Sequence, residues 1–170
     1  RYTNRIGDRE PFDLTIDNGD IVICFKPTGY RDQDMRVQRG LIRLRWPAPQ
    51  KDYPEFVRHM PDAGTDFSRG VAAMELDGAK YLWATAGNDH VYCADAPTGR
   101  GLFFFELPKK AKSKSNCWGL GFGDGSLWVS EDIDRGRDQL YRVNVTKNLD
   151  VSVTGPKIVR RLTMAIRTEP

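Results

Sequence analysis

An all-β fold made of three repeated four-stranded antiparallel units is what this sequence predicts, and three observations predict it. Apolar runs of roughly 4–7 residues are punctuated by Asp/Asn-Gly turns, the length and signal of antiparallel strands. One plan recurs three times, in Leu14–Ile23, Met74–Ala84 and Leu120–Val129: an apolar strand, an Asp/Asn-Gly turn and a second apolar strand. No segment holds a helical period over the roughly 11 residues that such a test needs.

The first unit, residues 9–61, begins with the hairpin around Asn18-Gly19 and continues after the polar loop Pro27–Arg39 with a third strand, Gly40–Trp46. Pro47–Pro54 carries three prolines, which lack the N–H that a central strand must donate, so it reads as a connection. Phe56–Met60 is the fourth strand, and Asp62–Arg69 leads to the second unit, residues 69–108. There the hairpin turns at Asp77-Gly78, His90–Ala94 is the third strand and Leu102–Leu107 the fourth. Lys109–Asn116 has four lysines in six residues between Lys109 and Lys114, which reads as a solvated loop or as a site for a polyanion. The third unit, residues 116–166, turns at Asp124-Gly125, with Gln139–Val145 as third strand and Lys157–Ile166, basic and alternating, as a charge-protected edge.

Composition bounds the function classes. The 170 residues are 39% hydrophobic and 29% charged, as in a globular domain, and no run approaches the roughly 18 apolar residues of a membrane span. A net charge of +3 weighs against a nucleic-acid partner. Cys24, Cys93 and Cys117 each sit in an apolar strand-like run and read as small buried hydrophobes. Asn144-Val145-Thr146 has the form of a glycosylation acceptor. The chain starts at Arg1 and reads as a mature product or a fragment, with a preference for a secreted or periplasmic setting.

The turn glycines Gly19, Gly78 and Gly125 lie 59 and 47 residues apart, near the roughly 40–50 residues of a propeller blade. Gly119-Leu120, Asp124-Gly125-Ser126-Leu127-Trp128-Val129-Ser130-Glu131-Asp132 and Gln139-Leu140-Tyr141-Arg142-Val143-Asn144 resemble the blade repeat of the gluconolactonase, strictosidine synthase-like and NHL-type β-propellers. The resemblance implies an incomplete ring of about three blades, since known rings run from about four upward. Further blades, another chain or a second copy in a homodimer would then complete it.

It also implies where a metal would sit. Lactonase-like members hold calcium in the central channel, and a hard cation takes carboxylate and amide oxygens. By position the ligands would be Asp132 and Glu131 in the third unit with Asn88 and Asp89 in the second, near Asp134 and Asp138. The same acidic stretch also reads as a solvated loop of alternating charge. His90 and Cys93, three apart on a strand, point to opposite faces and make no catalytic pair. Trp83 and Trp128 read as core, and Phe103-Phe104-Phe105 as covered on both faces. Two functions follow as expectations: a non-catalytic propeller portion that scaffolds a ligand or protein, or part of a calcium-dependent lactonase-like hydrolase.

Overall fold

The computed structural model describes residues 10–26, 40–46, 54–60, 63, 68–86, 90–108, 115–133 and 139–158. Among these residues the chain forms twelve strands and no α-helix. They are β1 (Glu10–Asp17), β2 (Asp20–Lys26), β3 (Leu41–Arg45), β4 (Glu55–Met60), β5 (Ser68–Leu76), β6 (Ala79–Ala86), β7 (His90–Asp95), β8 (Gly101–Glu106), β9 (Ser115–Gly123), β10 (Ser126–Ile133), β11 (Gln139–Val145) and β12 (Val151–Ile158). Three antiparallel meanders result, with orders β1-β2-β3-β4, β5-β6-β7-β8 and β9-β10-β11-β12.

The first hairpin of each sheet is built the same way. Asn18-Gly19, Asp77-Gly78 and Asp124-Gly125 all have positive φ at both positions. A two-residue turn of this hand matches the twist of the strands it joins, and Asn or Asp followed by Gly tolerates it best. The far end of each hairpin carries a register shift, at Pro11/Asp13, Ser68/Val71 and Ser130/Glu131. In two of them a hydroxyl fills the break. Thr85 accepts from the Gly70 amide at 2.7 Å, and Ser130 from the Gly119 amide at 2.9 Å.

Strand alternation explains how the sheets stack. Val71, Leu82, Ala84 and Ala94 on one face of the second sheet pack with Val22, Cys24, Leu41 and Met60 of the first. Ala72, Met74, Trp83, Val91 and Cys93 on its other face pack with Cys117, Leu120, Leu127, Val129, Tyr141 and Val143 of the third. The inner strands of the second sheet are therefore enclosed on both sides, and Trp83 is fully buried against Phe103 and Phe105 at edge-on ring distances of 5.7 and 6.2 Å.

Strand β5 lies between β1 and β9 and is closely fitted to each. The amides of Val71 and Ala73, on the open edge of β5, donate to Asp13 Oδ2 at 2.9 Å and Thr15 Oγ1 at 3.2 Å, so β1 side chains satisfy an edge that would otherwise be bare. On the other side a Cβ at Gly70 would lie 2.7 Å from the Leu120 amide nitrogen. Further out, buried Arg43 binds Asp17 Oδ2 at 2.5 Å and Asp20 Oδ2 at 3.3 Å and crosses to the Ala96 carbonyl at 3.0 Å. Arg58 donates to the same carbonyl at 3.1 Å and to that of Pro97. A buried guanidinium is tolerable because two carboxylates and a carbonyl surround it.

Three expectations are corrected. The outer strand of the third sheet is Val151–Ile158 and not Lys157–Ile166, of which residues 159–166 lie outside the described residues. The chain reverses at once after β11, because the Asp150 amide donates to Thr146 Oγ1 and the Thr146 amide to the Asp150 carbonyl, with Leu149 at φ 63°. Pro156 fits there since an outermost strand has one edge without ladder bonds. Trp128 is half-buried rather than core: it lies on the face of the third sheet turned away from the second, where Arg142 stacks over its ring at 5.8 Å. Phe104 is 53% exposed, so the phenylalanine run is covered on one face only.

Candidate functional site

Of the four residues proposed as metal ligands, the structure describes the side chain of one. Glu131, at the end of β10, is buried and accepts a hydrogen bond from the Tyr141 hydroxyl at 2.6 Å. The Tyr141 oxygen also lies 3.0 Å from the Gln139 side-chain amide. A phenol has one proton, which Glu131 takes, so the Gln139 amide serves this cluster best with its NH2 turned to the phenol oxygen. Burial, and then the bond to Glu131, push the Tyr141 hydroxyl far up. Glu131 thus has one oxygen committed to a neighbouring strand. Asp132 pairs with Asn116 in the β9–β10 ladder, and its side chain lies outside the described residues, as do Asn88, Asp89, Asp134 and Asp138. Among the described residues no group of three or more His, Cys, Asp or Glu could hold a metal ion.

The remaining chemistry-bearing side chains serve the fold. Cys24, Cys93 and Cys117 are buried, and none is joined in a disulfide. His90 meets Glu106 at 3.2 Å and Phe104 at a ring distance of 5.3 Å, while Cys93 faces the core on the opposite side of the strand, as its spacing predicts. An open cleft of about 210 Å³ separates the tips of the first two sheets' hairpins, where Lys80 reaches Asn18 Oδ1 at 2.9 Å.

The faces that matter most are the two outer ones. On the first sheet, the register places Leu14 beside Ile23 and Ile16 beside Ile21, then Ile23 beside Ile42, Ile21 beside Leu44 and Leu44 beside Phe56. Strand partners share a face, so this is an apolar surface spanning all four strands. It is partly self-covered, with Phe25, Ile42 and Leu44 buried among Ile21, Ile23 and Phe56. Leu14 and Ile16, however, are 58% and 57% exposed, and Trp46 just beyond β3 is 59% exposed.

The outer face of the third sheet is different in kind. Gly121, Trp128 and Arg142 lie in one cross-strand row, with Gly119 and Ser130 in the next and Gly123, Ser126 and Asn144 in a third. Ser126 Oγ accepts from Arg142 Nε at 2.9 Å, and Trp128 Nε1 donates to the Gly123 carbonyl at 3.1 Å. A Cβ at Gly121 or Gly123 would meet nothing within 4 Å.

Sequence reasoning missed the first of these faces, although β2 carried the signal. Ile21-Val22-Ile23-Cys24-Phe25 is apolar at both parities, the pattern of a strand covered on two sides. Compared with known proteins, the chain matches no family model and no curated protein.

Proposed function

We propose that the three sheets are consecutive blades of an open β-propeller segment and that the chain works as a non-catalytic scaffold, binding through its outer sheet faces. One observation carries this: on the outer face of the first sheet Leu14 and Ile16, beside half-buried Ile23 and Ile21, are 58% and 57% exposed. A continuous apolar surface of this kind marks an interaction site. The inter-sheet contacts support the blade reading, since each inner strand is fitted to the next and two arginines, Arg43 and Arg58, fasten the outer part of one sheet to the turn of its neighbour. The calcium-dependent hydrolase reading rests on Asp132, Asn88 and Asp89, outside the described side chains, and on Glu131, already engaged by Tyr141; no observation favours it.

An environment-sensitive apolar dye tests the scaffold. At submicromolar protein the chain is expected to bind dye at the first sheet, and the pair Leu14→Lys and Ile16→Lys to cut the signal about fivefold or more. Both side chains are more than half exposed, so folding stability should change by no more than about 0.5 kcal/mol each. Absence of dye binding, or binding indifferent to this pair, would overturn the proposal.

A further inference from the structure

We infer that the outer face of the third sheet binds a carboxylate carried on a sugar ring, with Arg142 holding the carboxylate and Trp128 lying against the ring. This rests on the reading of the outer faces as binding surfaces, given above, and adds a ligand class for one of them.

Arg142 stands on β11 where Arg43 stands on β3. Arg43 is the strand partner of Val22, three residues past the turn glycine Gly19, and Arg142 is that of Trp128, three past Gly125. What surrounds the two guanidinium groups differs. Arg43 is held by the carboxylates of Asp17 at 2.5 Å and Asp20 at 3.3 Å, which come two residues before Gly19 and one after it. The same positions counted from Gly125 are Gly123 and Ser126, and neither carries a charge. Among the described residues no carboxylate pairs with Arg142 in their place. The room for one exists, because a Cβ at Gly123 would meet nothing within 4 Å. Arg43 is neutralised by its own sheet, whereas Arg142 presents its charge to whatever meets the face.

Arg142 is also held in position, although it is exposed. Its Nε donates to Ser126 Oγ at 2.9 Å, and Ser126, only 1% exposed, gives its own proton to Asn144 Oδ1 at 3.0 Å. A guanidinium tethered at Nε keeps its two terminal nitrogens as a fork for a planar carboxylate, and the fold has already met part of the cost of ordering it. The guanidinium lies 5.8 Å from the centre of the half-buried Trp128 ring, whose N–H is fixed on the Gly123 carbonyl at 3.1 Å. Ser152 and Thr154, exposed opposite Asn144 and Arg142, add hydroxyls, and Asn144 adds its amide NH2. A flat apolar ring, one cation and a fringe of neutral hydrogen-bonding groups suit a pyranose that bears a carboxylate. A purely apolar ligand would bury Arg142 unpaired, and a neutral sugar would leave its fork unused.

Titration calorimetry of the intact chain with a galacturonic acid oligosaccharide, beside its neutral galactose counterpart, tests this. The acidic oligosaccharide should bind saturably, and the neutral one about tenfold more weakly or worse. Gly123→Asp returns to the third sheet the carboxylate that Asp17 supplies in the first. It should therefore keep or raise the thermal midpoint while weakening binding of the acidic sugar about tenfold or more. Arg142→Lys keeps the charge but loses the fork, and should weaken binding as well. No binding at millimolar saccharide, equal binding of the two sugars, or binding indifferent to Gly123→Asp overturns the inference. So does a fall in the midpoint of Gly123→Asp, which would show that the two sheets do not place their arginines alike. The dye experiment reads the first sheet alone, so failure of this site and failure of the scaffold are told apart.

Discussion

Buried thiols set how the fold responds to alkali. Burial, and then the charge of Asp13, raise the Cys24 thiol from 9.0 to about 12; burial, and then Asp95, do the same for Cys93. The unfolded chain ionises these thiols at their ordinary value of 9.0, where the folded chain still holds its protons. Their contribution to stability is complete below that value and drains as pH rises through the folded one, at up to about 1.4 kcal/mol per pH unit for each thiol. Urea midpoints measured from pH 8 to 11 should therefore fall, and the Cys24→Ala, Cys93→Ala pair should fall less steeply over the same range. Equal slopes would show that the thiols do not carry the effect. That both thiols are buried was legible from their apolar runs; that a carboxylate lies beside Cys24 was not, because Asp13 comes from the neighbouring strand.

Among the elements, β5 is the most constrained, and one kind of substitution, made on it and on the outward face of β9, tests its fit against β9. At Gly70 an added Cβ would meet the Leu120 nitrogen at 2.7 Å and the Gly119 carbonyl carbon at 2.9 Å, backbone atoms that cannot swing aside. Gly70→Ala should cost about 1–3 kcal/mol in thermal or urea unfolding, as overpacking does. Gly121→Ala, with open space at its Cβ, should be neutral or slightly stabilising because alanine loses less backbone entropy than glycine. Comparable losses at both sites would contradict the stacking of β5 against β9. The hairpins themselves were legible, because Asn-Gly and Asp-Gly turns between apolar runs have a local cause. β12 was misplaced for the converse reason: the reversal at Thr146–Asp150 depends on side-chain bonds that no turn dipeptide announces, and the basic alternation beyond Pro156 looked more like a strand.

At the scale of the whole molecule, three meanders stack in chain order, the inner strands of the second enclosed and the outer faces of the other two carrying exposed side chains such as Leu14, Ile16 and Arg142. Repetition made the number of units readable from the sequence. The cover of each face was not readable, since alternation says which residues share a side but not what lies opposite; Trp83 and Trp128 sit in similar motifs on the same side of their sheets, and only Trp83 has a sheet in front of it. The candidate acidic site was legible only as composition, and Glu131 turned out to be tied to Tyr141 across the ladder. Hydroxyl-radical footprinting, resolved residue by residue by mass spectrometry, measures the stacking most directly. Trp46, 59% exposed, should oxidise rapidly and Trp83, at 0%, should be protected, with Trp128 between them. Oxidation of Trp83 at the rate of Trp46 would mean that the second sheet is not enclosed, and the stacked arrangement would be wrong.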